Sequence, residues 1–230
     1  MSVVHAPDVA GRIDDVRERI LQACQRVGRS TSEVTLIAVS KTWPAESVVA
    51  ALQADLQDFG ENRVQEALEK IEAVHHLWSD DRGGPVWHLI GHLQTNKVKS
   101  ITGRFAILHG IDSERLVETV GRFAQEPQRI MLEVNVSGEA SKFGVRPADL
   151  TPLVEEARRT PNVIVTGLMT VAPQMDNPKA VRPFFRALQA LAERHSLSAL
   201  SMGMSNDFEA AIEEGATHVR VGRAIFGERS

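Results

Sequence analysis

A lysine at the end of an apolar segment is the residue in this sequence with the clearest capacity for chemistry. Lys41 closely follows the run VTLIAV, which spans residues 34–39 and is rich in β-branched side chains. Such a run is typical of a buried strand, and burial at its end favours the neutral, nucleophilic form of an amine. Lysines of this kind form Schiff bases with carbonyl compounds. A solvated lysine at a strand end is the alternative.

Two glycine-containing segments near the end of the chain have the features of phosphate-binding loops. Met202–Asn206 precedes the helical pattern DFEAAIEEG, and Gly222–Ala224 follows an apolar run. Backbone amides at a helix N-terminus bind anions, and glycine lets a phosphate approach closely. An ordinary turn glycine beside a helix cap is the alternative for either segment alone.

Arg220 has a spacing that lets it act with Gly222. The two residues are two positions apart in a predicted strand, so they point to the same side of it. A permanently charged guanidinium facing a pyridine nitrogen would keep that nitrogen unprotonated, which favours holding a pyridine cofactor over using it for carbanion chemistry. A salt bridge from Arg220 to Glu61 or Glu133 is equally compatible with the sequence.

The elements that must position these residues alternate between strands and helices. The predicted strands cover residues 34–39, 58–61, 86–90, 106–111, 129–136, 163–169, 199–204 and 218–221. The helical patterns between them cover residues 44–52, 63–77, 113–124, 148–159, 178–195 and 208–214. Apolar strands that alternate with helices imply a parallel sheet covered on both faces.

The number of these units favours an α/β fold of the (β/α)8 TIM-barrel type. An open doubly wound sheet is disfavoured because the first strand is followed by SKTWPAE, which lacks the glycine-rich dinucleotide turn. We therefore predict one domain over residues 1–230, with an extra N-terminal helix over 8–28 and the barrel over 34–229. The active site of such a barrel lies at the C-terminal ends of its strands, where the residues above fall.

Composition limits the partners of the chain. Acidic residues number 30 and basic residues 26, a net charge of -4, so we expect neither nucleic acid nor anionic membrane as a partner. No apolar run approaches the length of a membrane span. The single cysteine, Cys24, fits a buried helix face in a reducing compartment. We predict a cytoplasmic protein and, for want of a surplus apolar stripe, a monomer.

The histidines do not indicate a metal site. His88 and His92 are four residues apart, but that segment is predicted to be strand and turn, where side chains at this spacing do not stack as they do on a helix. The pair His75 and His76 lies near a helix end, where the helix dipole favours positive charge. No G-x-S-x-G nucleophile motif is present.

Seven segments together resemble the pyridoxal phosphate homeostasis protein family, whose barrel is similar to the N-terminal domain of alanine racemase. They span residues 34–229 in order. They are LIAVSKTWP, DFGENRVQE, WHLIGHLQTNKVK, EVNVSGEASKFG, GLMTVAP, LSMGMSNDFEAAIEEGATHVRVG and AIFGER.

The resemblance implies a barrel that binds pyridoxal 5'-phosphate (PLP) as an internal aldimine on Lys41. It places Arg220 at the ring nitrogen, and it implies no catalytic residue and no metal. The full set of cofactor-binding residues that it implies is Lys41, Asn62, Met169, Ser201, Gly203, Met204, Ser205, Arg220, Gly222 and Arg223. At Arg223 many relatives carry threonine, so this chain lacks that hydroxyl contact and has instead a cation that points either to the phosphate or to solvent.

The function implied is cytoplasmic PLP homeostasis: the protein would store, deliver or buffer the cofactor, with PLP-dependent apo-enzymes as candidate recipients. In related racemases a second domain supplies a catalytic tyrosine. This chain has no tyrosine and stops at Ser230, so we expect no robust catalysis. The alternatives are a PLP-dependent amino-acid racemase or other Schiff-base enzyme, and a phosphosugar-binding barrel.

Overall fold

Eight parallel strands close into a barrel in which each strand pairs with its neighbours in chain order and the last pairs with the first. The computed structural model describes residues 8–79, 83–173, 175 and 177–228. The strands are β1 Thr35–Val39, β2 Asp58–Glu61, β3 Val86–Leu89, β4 Ile107–Ile111, β5 Gln128–Glu133, β6 Val163–Met169, β7 Ala199–Met204 and β8 His218–Val221. The predicted TIM barrel is confirmed.

Helices follow the strands and cover the outside of the barrel. They are α1 Val9–Arg26, α2 Ala45–Gln53, α3 Val64–Leu77, α4 Val98–Ile101, α5 Glu114–Phe123, α6 Leu150–Arg159, α7 Arg182–Arg194, α8 Phe208–Glu213 and α9 Arg223–Phe226. Within the described part of the chain, none of these helices has the length and apolar character needed to cross a membrane.

The extra N-terminal helix α1 packs on α8 and α9, the two helices that follow the last two strands. The carboxylate of Asp8 accepts a hydrogen bond of 2.9 Å from the amide of Gly11 and so caps its first turn. One face of α1 is buried, from Val9 to Cys24, as the three- and four-residue spacing predicts. Burial also raises the pKa of the Cys24 thiol. The helix therefore supports the elements that carry both candidate phosphate loops.

The prediction for β5 was wrong at its C-terminal end. The strand stops at Glu133 instead of residue 136, because Val134 leaves the ladder and pairs with Val145 in an isolated bridge. The side chain of Asn135 then accepts a hydrogen bond of 3.0 Å from the amide of Gly138 and shapes a turn. Glu133, and not Asn135, is therefore the polar residue at the end of this strand.

The barrel interior is more polar than the layer between strands and helices. Ile107, Met131 and Met169 form a small apolar cluster inside it, whereas the main core lies between the sheet and the helices. The buried polar side chains include His88 and His109 on neighbouring strands. A buried polar group must be hydrogen-bonded to be tolerated, so the contacts inside the barrel organise the candidate site.

Candidate functional site

The predicted site residues lie at the same end of the barrel. Lys41 follows β1, Asn62 follows β2 and Gly222 follows β8, while Met169 and Met204 end β6 and β7. Because all the strands are parallel, their C-terminal ends form one rim. Gly222 lies close to β1, since a Cβ at this position would be 3.2 Å from the carbonyl oxygen of Val39. Lys41 and the second candidate phosphate loop thus lie on adjacent strand ends.

Hydrogen bonds fix the backbone on both sides of Lys41. The carbonyl oxygen of Ser40 accepts 2.6 Å from the ammonium of Lys70, and the Ser40 hydroxyl donates 2.7 Å to Glu61. On the other side, the amide of Thr42 donates to the carboxylate of Glu66. Thr42 has a φ of +67°, a conformation that costs energy for a β-branched residue. The segment that carries Lys41 is therefore held in one conformation.

Lys70 and Glu61 form a buried ion pair beneath this segment. Their side chains are 6% and 0% exposed, and Nζ of Lys70 lies 2.6 Å from Oε1 of Glu61. Burial raises the pKa of Glu61, an effect that Lys70 and Ser40 partly offset. This pair is not among the residues predicted from the sequence. The signal was present, because Lys70 occupies the same helix face as the buried Ala67 and Val74.

The loops after β7 and β8 present backbone amides that have no acceptor within the described part of the chain. Among the hydrogen bonds of the described residues, none is donated by the amides of Ser205, Asn206, Arg223 or Ala224. The amide of Gly222 donates a long hydrogen bond of 3.3 Å to the hydroxyl of Ser205, which joins the two loops. Backbone N–H groups without acceptors at helix N-termini suit a phosphate.

Gly203 and Met204 shape the first of these loops. Gly203 has a φ of +90°, and a Cβ there would be 2.6 Å from that of Ala211, so the turn into α8 requires glycine. The amide of Met204 donates 2.6 Å to the carboxylate of Asp207. Of the predicted phosphate contacts, Met204 therefore has its amide already paired inside the protein.

Arg223 is half exposed at the start of α9. Its side chain is 49% exposed and its guanidinium lies 3.8 Å from the carboxylate of Glu228. Its backbone amide is one of the four amides named above, which have no acceptor among the described residues. Its guanidinium lies near the exposed carboxylate of Glu228. The amide is therefore the group by which Arg223 fits a phosphate best.

Arg220 is buried and its guanidinium is held by two neighbouring strands. One nitrogen donates 2.6 Å to the hydroxyl of Ser201 on β7, and the other donates 2.8 Å to the carbonyl of Thr170 after β6. Burial lowers the pKa of Arg220 to about 10, with Glu133 and Asp207 opposing that shift. Arg220 is therefore still charged at neutral pH.

The sequence left open a salt bridge from Arg220 to Glu61 or Glu133. Glu61 pairs with Lys70 instead. Glu133 acts on Arg220 through its charge, and among the described ion pairs none joins the two. A guanidinium carries five N–H donors, and the hydrogen bonds to Ser201 and Thr170 use two of them. Donors remain for a ligand.

Ser201 is the first link of a hydrogen-bonded chain through the barrel. Its hydroxyl lies 2.9 Å from Nδ1 of His109 on β4, and Nε2 of His109 lies 3.0 Å from Nδ1 of His88 on β3. Nε2 of His88 lies 2.9 Å from the carboxylate of Asp58, the first residue of β2. This chain of hydrogen bonds therefore connects Arg220 with the opposite end of the barrel.

The two ends of the chain determine its proton positions. Arginine only donates, so the hydroxyl of Ser201 accepts from Arg220 and must donate its own hydrogen to His109. Burial lowers the pKa of His109 well below its ordinary value, so this imidazole is neutral. Its proton is then on Nε2 and points to His88, which in turn donates to Asp58. Every hydrogen bond in the chain has one direction.

Asn62 and Met169 line the strand ends in different ways. The side-chain oxygen of Asn62 is buried and has no hydrogen-bond partner, which marks it as an acceptor awaiting a donor. Gly91 allows this placement, because a Cβ there would be 2.3 Å from the carbonyl oxygen of Asn62. Met169 is 1% exposed and packs with Ile107 and Met131 inside the barrel.

A separate cavity lies outside the barrel. It has a volume of about 600 Å³ between the end of α3 and the start of β3, and its walls include His75, Trp78 and Trp87. It contains none of the predicted site residues. The predicted site residues all lie instead at or near the strand ends.

Comparison with known proteins gives the class of this fold and site. The family model described as alanine racemase, N-terminal domain, matches residues 12–230. An alanine racemase from Corynebacterium glutamicum superposes with a TM-score of 0.65 at 17% identity, covering 94% of this chain and 62% of that chain. At this identity the likeness concerns the fold.

Closer relatives identify the family. A pyridoxal phosphate homeostasis protein from Aquifex aeolicus is 44% identical over an alignment of 227 residues that covers 95% of this chain and 97% of the relative. PipY of Synechococcus elongatus, in a structure described as having PLP bound, superposes with a TM-score of 0.80 at 32% identity, covering 96% of this chain and 100% of that chain. The chain belongs to the pyridoxal phosphate homeostasis protein family, and the resemblance seen in the sequence is confirmed.

Proposed function

We propose that this protein binds PLP at the C-terminal ends of its barrel strands, attached to Lys41, and that it stores, delivers or buffers the cofactor in the cytoplasm without robust turnover of a substrate. One observation carries the proposal. A lysine whose backbone is fixed on both sides and a set of unpaired backbone amides lie on adjacent strand ends. A phosphosugar-binding barrel would need the amides but gives no task to the lysine.

The residues of the site fit the parts of this cofactor. The amides of Ser205, Asn206, Arg223 and Ala224 would bind the phosphate, and Gly203 and Gly222 would let it approach. Arg220 would face the ring nitrogen as a charged donor. The unpaired oxygen of Asn62 would accept a hydrogen bond at the ring, and Met169 and Ser201 support the pocket from inside the barrel.

Lys41 would bind the cofactor covalently and reversibly. PLP supplies an aldehyde carbon that is electrophilic. The amine nitrogen of Lys41 forms a bond to that carbon and one water leaves, so hydrolysis reverses the attachment. The hydrogen bonds from Lys70 to Ser40 and from Thr42 to Glu66 hold the backbone of Lys41 still while this happens. Attachment that is reversible suits a carrier.

A holding role agrees with the chemistry of the chain. Racemisation needs an acid or base on each face of the α-carbon, and the tyrosine that serves one face in related racemases has no counterpart in this sequence. Arg220 would also keep the ring nitrogen unprotonated and weaken the ring as an electron sink. An assay for racemisation of free alanine separates the two functions: turnover at a rate typical of enzymes would favour the racemase.

The test of Lys41 is spectroscopic. The full chain is stripped of cofactor, titrated with PLP and followed by visible absorbance, then reduced with borohydride and digested for peptide mass analysis. We expect the wild type to show a saturable band and a reduced adduct on the peptide that contains Lys41. Lys41→Ala should lose both, whereas the exposed-lysine control Lys99→Ala should keep both. An unchanged band in Lys41→Ala would show that another residue holds the cofactor.

The delivery role and the monomeric state need their own measurements. A scavenger that traps free cofactor is added to two reactions of a PLP-dependent apo-enzyme, one with the loaded protein and one with the same amount of free PLP. The apo-enzyme should gain activity faster in the reaction with the loaded protein. Light scattering during gel filtration should give the mass of one chain, 25.3 kDa. Equal reactivation rates would contradict delivery, and a mass of two chains would contradict the monomer.

A further inference from the structure

The polar residues at the ends of three successive strands form a cluster that the PLP site does not use. His92 follows β3, Asp112 follows β4 and Glu133 ends β5. One ligand atom from each of the three lies within 4.8 Å of the others. Nδ1 of His92 is 3.4 Å from a carboxylate oxygen of Asp112. The three side chains therefore converge on one point at the barrel rim.

Glu133 is the member that needs an explanation. It is 5% exposed, and its Oε2 is buried without a hydrogen-bond partner. Among the ion pairs of the described residues, none involves Glu133. A buried carboxylate without a partner beside a second carboxylate is costly, and an unsatisfied buried group in a native structure calls for a proton, a water or an ion.

His92 is positioned for ligation. Its ring stacks on Phe143 with centroids 4.0 Å apart and planes 12° from parallel. Phe143 is held there because the chain after β5 folds back, with the amide of Val145 donating 2.8 Å to the carbonyl of Glu133. The same bridge thus brings Phe143, which is 57% exposed, against the imidazole and next to the end of the carboxylate strand. A ligand whose orientation is fixed in advance loses less freedom on binding.

We propose that His92, Asp112 and Glu133 form a binding site for a divalent first-row metal ion such as Zn²⁺ or Mn²⁺. One imidazole nitrogen and two carboxylate oxygens are a donor set that these ions accept. In a tetrahedral site with ligand bonds of about 2.0 to 2.2 Å, two donors lie about 3.3 to 3.6 Å apart, so the side chains must move closer together by up to about 1.5 Å. Three protein ligands leave at least one coordination position for water or another donor.

The proposal is independent of the PLP site, since none of the three residues is assigned there. The test uses the full chain, treated with a chelator and dialysed, with and without PLP. ZnCl₂ binding is measured by calorimetry, and Mn²⁺ binding by loss of the free-ion signal in electron paramagnetic resonance. We expect one ion per chain. Each of Glu133→Gln and Asp112→Asn should weaken binding at least tenfold, a loss that even outer-sphere partners produce.

The controls separate this site from adventitious binding and from misfolding. His76→Gln removes an exposed histidine of the neighbouring pair on α3 and should leave one ion bound with unchanged affinity. Circular dichroism and the PLP titration should be the same for all four proteins. If neither ion reaches one equivalent, or if Glu133→Gln binds as the wild type does, the proposal is overturned. If the wild type binds the metal ion but does not bind PLP, the result counts against the proposed PLP site and not against the metal site.

Discussion

Replacing Ser201 with alanine should destabilise the protein far more than loss of one hydroxyl usually does. Ser201 accepts from Arg220 at 2.6 Å and donates to His109 at 2.9 Å, and all three residues are buried. Ser201→Ala leaves an N–H of Arg220 and Nδ1 of His109 without partners. Each unsatisfied buried group costs about 1 to 3 kcal/mol, and a charged one more. We expect a loss of about 3 kcal/mol in the free energy of unfolding.

A second substitution tests whether the chain of hydrogen bonds acts as a unit. His109→Leu also leaves two groups unpaired, the hydroxyl of Ser201 and Nδ1 of His88. The double variant leaves only two unpaired groups in total, one on Arg220 and one on His88. The Ser201 hydroxyl and Nδ1 of His109, which bond to each other in the wild type, are both removed. The combined loss should therefore be smaller than the sum of the single losses by about 2 kcal/mol.

The assay is urea unfolding of the cofactor-free protein, followed by the fluorescence of its three tryptophans. Ser100→Ala is the control, because its exposed hydroxyl donates only to the carbonyl of Lys97, and it should change stability by less than about 0.5 kcal/mol. Ser201→Ala should also weaken PLP binding, since it releases Arg220. A Ser201→Ala protein as stable as the wild type, or strictly additive losses in the double variant, would refute the reasoning.

Three further outcomes follow from the structure. Burial is the main cause that lowers the pKa of His218 to about 4, so between that value and about 6.5 this residue binds fewer protons in the folded protein than in the unfolded one. The contribution of His218 to stability should therefore fall by about 3 kcal/mol as the pH drops through this range, and His218→Gln should lose that contribution in urea unfolding. Gly91→Ala places a Cβ 2.3 Å from the carbonyl oxygen of Asn62 and should cost about 2 kcal/mol in thermal unfolding while weakening PLP binding. Lys70→Met leaves the buried carboxylate of Glu61 without its cation and should lower the free energy of unfolding by about 3 to 5 kcal/mol. Adding Glu61→Leu to the same protein should restore most of that loss.

The first two of these predictions have matched controls, and the double variant tests the third. His76→Gln removes an exposed histidine and should keep the wild-type pH slope. Gly84→Ala adds a methyl group where nothing lies within 4 Å, so it should be neutral. The first prediction is contradicted if His218→Gln keeps the wild-type pH dependence of stability, and the second if Gly91→Ala is as stable as the wild type. The third is contradicted if the double variant Lys70→Met, Glu61→Leu is no more stable than Lys70→Met alone.

The strands and the rim residues could be predicted because their signals are local. β2, β6, β7 and β8 match their predicted ranges, since a buried parallel strand is a short apolar run wherever it occurs. Lys41 and Gly222 follow directly from the ends of such runs. The end of β5 could not be found this way, because it depends on a bridge between Val134 and Val145, which are distant in sequence.

The supporting contacts of the site could not be predicted because they join elements across the barrel. His88 and His109 each lie inside an otherwise apolar strand, and that is a signal that the residue needs a partner. It does not say which partner. The convergence of His92 with its two carboxylates likewise needs neighbouring strands of the closed sheet. The pairing of Lys70 with Glu61 is different, because it lies within one strand–helix unit and the buried face of α3 indicates it.

The direction of the hydrogen-bonded chain links the end of the barrel that is proposed to hold the cofactor with its opposite end. Arg220 can only donate and an ionised Asp58 can only accept, so the groups between them have one arrangement of protons that satisfies every member. A change at either end therefore forces a neutral histidine to change tautomer or leaves a buried group unpaired. The position of Arg220 is therefore set partly by residues outside the proposed cofactor site. Substitutions of interior residues in this series of hydrogen bonds should weaken PLP binding, whereas substitutions of other interior residues should affect it less.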